Sequence, residues 1–433
     1  VEAWQPTRAF GRAILLCGVL VFTAVLVGRI DLIVLAAPFA LGTAISLRRR
    51  PQVAPTVSVR HDDPFVAEGA DIDAEIIVRN PDPVPLDLAL FRVQLSPWLR
   101  VRHGDRPYAT VLRGRRTVHI ELDGTAIRWG LHPLGPAVVN GIACNGLLVS
   151  QTGIAAARSI KVYPVAEVFS AAEAMPRAAG LVGAHRSRRP GEGGELAGVR
   201  LFGPGDRLRR IDWRVSLRTR QLHVAATLSD RDAELVLLLD VLHEAGRSGG
   251  IGGEASVLDT TVRAAAGIAE HYLQRGDRVS LLEYGFRARR LRPASGRRQY
   301  LTVLEWLLEV RPSTHGSYEP SAGAFGMQLL SANALVVVLT PLLDPRSAAM
   351  VARLARSGRF VVAVDTMTTD VATSRDGPWS EVGHRLWRLD RENTIGQLRE
   401  HGVPVVTWAG DGSLDQVLSD VARLASAPRG VGR

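Results

Sequence analysis

At 433 residues the chain has room for roughly two to four domains. With 46% hydrophobic and 22% charged residues it is neither disordered nor collagen-like. The charge of +10 comes from 53 Lys and Arg against 43 Asp and Glu, and Lys161 is the single lysine; an almost purely arginine excess reads as coding bias before it reads as a nucleic-acid surface, which concentrates both cations, so no nucleic-acid partner is expected.

Lys161 sits in ARSIKVYP, so no GxxxxGK[ST] loop exists and the chain is not itself a P-loop ATPase. Cys17 and Cys144 are far apart and form no CxxC pair, which supports neither a disulfide framework nor a cysteine zinc site.

Residues 1–50 predict a transmembrane helical hairpin. Ala13 to Gly28 and Leu32 to Leu47 carry no charge and are separated by Arg29-Ile30-Asp31. Each run spans about 24 Å, short of a hydrocarbon core of about 30 Å, so Phe10, Ile30 and the stems of Arg8, Arg12 and Arg48 to Arg50 must extend the spans. Those arginines flank both outer ends, which places the ends, and the remainder of the chain, on the cytoplasmic side of a multi-pass membrane protein. The rival is a cleaved secretory signal with AAPFA offering small residues; the long apolar stretch with its charged break favours the hairpin.

Residues 51–165 change to short β-branched runs (TVSVR, DIDAEIIVRNPDP, LALFRVQLS, TVHIELDG, SIKVYP) with a turn cluster at Asn80-Pro81-Asp82-Pro83. This predicts an immunoglobulin-like antiparallel β-sandwich. His103, His119 and His132 lie in separate segments and read as surface or hydrogen-bonded histidines, not metal ligands.

Residues 166–230 form an arginine-rich segment. Arg177 to Arg220 contains eleven arginines and four acids. Gly203-Pro204-Gly205-Asp206 suits a tight turn; Arg209 or Arg210 can then meet Asp206 or Asp212, and Trp213 is expected as a buried anchor beside them. A buried ion-pair and turn network is preferred over catalysis and over a phosphate site, although arginines on a tethered protein can also meet anionic lipid.

Residues 231–427, followed by a tail at 428–433, alternate strand and helix: strand Ala233 to Asp240, helix Asp259 to Arg275 with Asp259 as N-cap, strand Arg278 to Tyr284, helix Arg298 to Leu308, strand Ala334 to Thr340, helix Ser347 to Ser357, strand Phe360 to Asp365, a helix near Glu392 to Glu400, strand Val403 to Thr407 and helix Leu414 to Ala425. This is the pattern of a doubly wound α/β sheet, whose ligands bind beyond the carboxyl strand ends, here near Asp240, Thr340 and Asp365. Gly246 to Gly250 fits GxSxG but stands in a Gly-rich loop well past its strand, so it is no hydrolase elbow. Glu270-His271 lacks the second histidine of HExxH.

The run GVRLFGPGDRLRRIDWRVSLRTRQLHV resembles the signature of the domain-of-unknown-function 58 family. The matching residues are Glu195, Arg200, Pro204, Gly205, Asp206, Arg210, Ile211, Asp212, Trp213, Ser216, Arg218, Thr219 and Leu222, with Arg200, Gly205, Asp206, Arg210, Asp212, Trp213 and Arg218 the expected interaction residues. The hairpin, the sandwich, RWGLHPLGP and Val162-Tyr163-Pro164 follow the family's order; CNGLLVSQTG stands where a DPFGL-like run is usual. The α/β region looks like a von Willebrand factor A-like domain. That resemblance implies a Mg²⁺ site of hard oxygen ligands, for which Asp240, Glu244, Thr314 and Asp344 are the candidates. Leu242 and Glu244 stand at the usual serine positions, so the site is expected to be degenerate, with no cofactor and no catalytic residues. The family resemblance further implies a MoxR-type AAA+ ATPase as partner in a bacterial chaperone-like assembly or envelope-biogenesis role. The expectation is therefore a membrane-anchored, non-enzymatic scaffold or adaptor. The alternatives are a metal-dependent A-domain receptor and a hydrolase using the Asp240 strand end with His243 and Glu244.

Overall fold

The structure, a computed structural model, describes residues 3–63, 65–102, 106–165, 190–203, 211–228, 234–285, 287–312, 330, 334–367 and 380–408. The chain divides into two compact units, Val1–Tyr163 and Pro164–Arg433.

In the first unit β1 (Trp4–Pro6) precedes two helices, α1 (Arg8–Val27) and α2 (Asp31–Leu47). Thr7 caps α1, its hydroxyl accepting from the Phe10 N–H at 3.3 Å, and Gly28 ends it in the left-handed conformation that a side chain resists. The helices pack through small residues: Ala24 and Ala36 are buried, while Leu15, Phe22, Val25, Val34 and Leu41 stay bare. At 20 residues α1 is about 30 Å long, and by length and composition it is apolar enough to cross a membrane; α2 has 17 residues and carries Pro38 inside.

Eleven further strands complete this unit among the described residues: β2 (Thr56–His61), β3 (Phe65–Ala67), β4 (Asp71–Arg79), β5 (Leu86–Leu95), β6 (Leu99–Val101), β7 (Tyr108–Leu112), β8 (Thr117–Ala126), β9 (Gly130–Ala143), β10 (Leu148–Ser150), β11 (Gly153–Ala155) and β12 (Arg158–Tyr163). They form a four-stranded sheet, β2-β4-β8-β6, and a larger sheet built around β9. The inward residues of both, among them Val59, Ile76, Val78, Leu122, Phe91, Val139 and Ile160, make one core, as a β-sandwich requires. β9 was not expected from sequence, because Pro133, Gly135 and Pro136 argue against a central strand; it nevertheless pairs with β5, β10, β11 and β12.

Both outer ends of the helix pair are tied to one turn of the sandwich. Cys144, Asn145 and Gly146 are successive left-handed residues. The Leu147 carbonyl accepts from the Thr7 N–H at 2.9 Å and the Gly146 carbonyl from the Thr7 hydroxyl at 2.7 Å. Asn145 Nδ2 donates to the Ser46 hydroxyl at 2.8 Å. β1 adds to β10 just beyond, so residues before the first helix belong to the sandwich. The chain leaving α2 is fixed by Asp82, whose carboxylate accepts from the N–H groups of Gln52 at 2.6 Å and Val53 at 3.0 Å. Burial alone would raise the Asp82 carboxyl, but the bonds from Val84, Val53 and Gln52 together hold it below the usual carboxylate range.

In the second unit, β13 (Pro190–Leu201) and β14 (His223–Leu228) form a ribbon, with the short helix α3 (Trp213–Thr219) between them in sequence. The α/β layer follows: β15 (Glu234–Asp240), α4 (Val257–Gln274), β16 (Arg278–Tyr284), β17 (Arg290–Ala294), α5 (Arg297–Leu307), β18 (Leu335–Thr340), α6 (Pro345–Arg356), β19 (Phe360–Asp365), α7 (Ser380–Glu400) and β20 (Val405–Thr407). The sheet order is β17-β16-β15-β18-β19-β20, parallel except for edge strand β17. β15 is buried along its whole length. Val236 and Leu238 join the core made with Met350, Val351, Leu354 and Leu398 of α6 and α7. Leu235, Leu237 and Leu239 point the other way, as alternation requires, and α4 lies against β15, β16 and β18. Helices thus cover both faces.

Three boundaries differ from the sequence reading. The N-cap of α4 is Ser256, and Asp259 is the third helical residue of a capping box, its carboxylate returning to the Ser256 N–H. α6 begins at Pro345, whose fixed φ suits a first helical position after the Asp344 cap. α7 starts at Ser380, well before Glu392. The predicted helix Leu414 to Ala425 lies outside the described residues.

Candidate functional site at the carboxyl edge of the parallel sheet

β15, β18 and β19 end side by side in Asp240, Thr340 and Asp365. Asp240 is 3% exposed. Its carboxylate accepts from the Thr340 hydroxyl at 2.6 Å and from the Leu242 N–H at 3.2 Å. Burial pushes the Asp240 carboxyl above the usual range, against these bonds.

Asp344 caps α6 by accepting from the Arg346 N–H at 2.8 Å. Its oxygens also take the Arg346 guanidinium, Nε to Oδ1 at 2.9 Å and Nη2 to Oδ2 at 2.6 Å, and His243 Nε2 lies 2.8 Å from Oδ2. The Arg346 bond, with help from His243, holds the Asp344 carboxyl far below the usual range. The third carboxylate, Asp365, is paired with Arg391 of α7, which also donates to the Pro341 carbonyl at 3.1 Å. Burial nonetheless raises the Asp365 carboxyl. Beneath it Thr261 of α4 donates to the Thr366 hydroxyl at 3.0 Å.

Of the metal candidates, Asp240 and Asp344 share this edge, where each raises the cost of charging its neighbour. Glu244 is exposed on the loop beyond β15, and Thr314 lies outside the described residues. Among the described residues no three His, Cys, Asp or Glu side chains gather as a metal site. The arrangement supplies what a cation would otherwise supply: guanidinium and imidazole donors on Asp344, guanidinium on Asp365, and a hydroxyl on Asp240. Sequence reasoning missed Arg346 and Arg391. Arg346 was signalled by Asp-Pro-Arg, a cap followed by a proline and a donor; Arg391 comes from a helix distant in sequence and had no local signal. Ser248 of the GxSxG run sits in irregular backbone with no strand ending at it and no helix starting there.

The signature segment departs from expectation. Trp213 is not a buried anchor but 61% exposed, because α3 turns Ser216, not its aromatic residue, toward β14. The Asp212 carboxylate caps α3, accepting from the N–H groups of Arg214 and Val215 at 3.1 Å; the arginines expected to pair with it lie outside the described residues. Arg218 is exposed, and Arg200, also exposed, donates to the Leu201 carbonyl at 3.1 Å. Gly205, Asp206 and Arg210, like Arg209, lie outside the described residues. In the sandwich His132 is buried between the Ser96 hydroxyl and the Arg128 carbonyl, and His119 pairs with Glu75, so each has a hydrogen-bonding partner. His103 lies outside the described residues.

Comparison with solved structures gives distant likenesses: a CARDB domain from Pyrococcus furiosus, 14% identical over 26% of this chain and 88% of that one with a TM-score of 0.19, and a non-cellulosomal cohesin from Archaeoglobus fulgidus, 10% identical over 25% and 91% with a TM-score of 0.18. The two-sheet architecture rests on this chain's own strand register. Uncharacterized proteins of Mycobacterium tuberculosis and Mycobacterium bovis are 43% identical over 61 residues, which is 14% of this chain and 19% of the length of those relatives. Residues 198–377, from the ribbon through β19, match the model of the family described as "Protein of unknown function DUF58", and over that span the chain is similar to that family.

Proposed function

We propose that the chain is a membrane-anchored adaptor that works by contact and not by chemistry. The α1–α2 pair is its two-span anchor, with both outer ends and the sandwich on the cytoplasmic side. The second unit is a von Willebrand factor A-like domain, and the partner is a MoxR-type AAA+ ATPase that supplies the nucleotide hydrolysis this chain lacks. The A-like reading draws on the order β17-β16-β15-β18-β19-β20 with its one antiparallel edge. The two-span reading draws on the Cys144–Leu147 turn, which holds the start of α1 and the end of α2 together; a hairpin crossing and recrossing a bilayer needs its ends on one side.

The observation that carries the adaptor reading is the state of the strand-end carboxylates. Among the described residues, Asp240, Asp344 and Asp365 are each engaged by donors of the chain itself, so these three strand-end carboxylates are already occupied where a cation or a nucleophile's proton would need them. Affinity purification from membranes tests it: an ATPase should co-purify and dissociate on a change of nucleotide. Calorimetric binding of Mg²⁺ at the sheet edge would instead favour the receptor reading, and turnover of a substrate lost in His243→Ala would favour the hydrolase. Protease protection of the second unit in inverted vesicles would reverse the orientation.

A further inference from the structure

We infer that α3 and the residues around it form a contact for the surface of an anionic phospholipid bilayer. This inference rests on the anchored reading above, because it is the anchor that brings a bilayer within reach.

An ordinary surface helix turns its apolar stripe inward. α3 does the reverse. Its inward side is polar: the Ser216 hydroxyl accepts from the His223 N–H at 2.8 Å and lies 3.3 Å from the His223 carbonyl, while Ile211 bridges Val224 just before the helix. Trp213 and Leu217, four residues apart and so stacked on one face, are 61% and 78% exposed. Arg214 and Arg218 repeat the same spacing one residue on and form a cationic stripe beside the apolar one. Arg220 follows at the left-handed end of the helix.

Arg289, Arg346 and Arg391 each reach a carboxylate; Arg214, Arg218 and Arg220 make no side-chain ion pair among the described residues, and the neighbouring Asp212 carboxylate is committed to the helix cap. Leu222 just after the helix, and Val199 and Leu201 at alternate positions of β13, are also more than two-fifths exposed.

A two-turn helix that shows indole, leucine and guanidinium groups with no ion pair among the described residues fits a bilayer interface. The indole sits at headgroup level, the leucine enters the acyl boundary, and the guanidinium groups bond lipid phosphates in their planar fork geometry. An acidic amphipathic protein segment carries the same charge sign, but the bare α1–α2 surface makes a bilayer the apolar, anionic surface this chain itself must meet.

The test uses the full chain in nanodiscs whose lipids carry brominated acyl chains, either all phosphatidylcholine or one-third phosphatidylglycerol. The fluorescence difference between wild type and Trp213→Phe isolates Trp213 among the eight tryptophans. The expected result is quenching of that component by about twofold or more in the anionic discs and markedly less in the neutral ones. Molar salt should reverse it, since the screening length falls to about 3 Å. Arg214→Gln, Arg218→Gln and Arg220→Gln should each weaken the contact about fivefold, the equivalent of about 1 kcal/mol per near-surface charge; unchanged far-UV dichroism and melting exclude misfolding.

Absent or equal quenching in both discs overturns the proposal, as does protection of Trp213 only when an acidic protein partner is added. Carbonate extraction of native membranes reports the anchor separately. Chain retained in the pellet with an unquenched Trp213 defeats this inference alone; chain released into the supernatant defeats the anchored reading.

Discussion

The carboxyl edge of the parallel sheet and the signature helix α3 treat charge in opposite ways. At the sheet edge, three acids are drawn into the interior and each is answered by the chain's own donors. On α3, two large apolar side chains and arginines without an ion pair among the described residues face outward. Groups satisfied within the molecule hold its fold together, and groups left unsatisfied on its surface are available to something outside it. The contrast sets the Asp344–Arg346 and Asp365–Arg391 pairs, which hold the sheet edge, against Trp213 and Leu217, which are exposed where the sequence led one to expect a buried aromatic anchor.

Breaking the buried side of this comparison should have the largest effect. Arg391→Met leaves Asp365 at 6% exposure without its guanidinium, and loss of one partner of a buried pair costs about 3 kcal/mol or more; chemical denaturation should show the midpoint falling at unchanged slope. Arg346→Met should cost less, about 1–2 kcal/mol, because Arg346 is 30% exposed and water screens part of the pair.

The pH dependence sharpens the second case. A carboxyl held below its unfolded value of about 3.9 contributes stability that is fully present above that pH and is lost as pH falls through the folded value. Asp344 is such a group, so the gap between wild type and Arg346→Met should be constant from pH 8 to about 5 and close as the solution is acidified. Asp240 has the opposite sign. Its carboxyl is raised by burial, so its contribution is fully present below about pH 3.9 and is lost as pH rises through the folded value. Asp240→Asn should therefore melt higher than wild type at pH 8 and equal it near pH 3; a lower melting temperature at pH 8 would break the account of this edge.

The smallest effect belongs to α3. Trp213→Ser and Leu217→Ser should shift unfolding by no more than about 0.5 kcal/mol, as exposed substitutions do, whereas a buried tryptophan anchor would cost about 3–5 kcal/mol. Differential scanning calorimetry separates these two values without ambiguity.

Much of the architecture was legible in the sequence because it is local. Charge-free runs broken by Arg29-Ile30-Asp31 announce the helix pair, β-branched runs around Asn80-Pro81-Asp82-Pro83 announce strands and a turn, and AELVLLLD announces a buried strand ending in an acid. What escaped was non-local. β9 contains two prolines and reads as a loop, yet its neighbours on either side make it the centre of a sheet. The polar β17 is visible only as the antiparallel partner of β16.

The candidate site divides in the same way. Alternation of strand and helix, and the aspartates at strand ends, fixed where the sheet edge lies, since periodicity and burial follow from residue order alone. Which atoms answer those aspartates was decided by the tertiary structure: Arg391 reaches Asp365 across 26 positions, His243 reaches Asp344 across 101 and Thr340 reaches Asp240 across 100. The outward set of Trp213 was decided there too, because a seven-residue helix with both apolar and hydroxyl faces takes its orientation from the strand it packs on, here through Ser216 and His223.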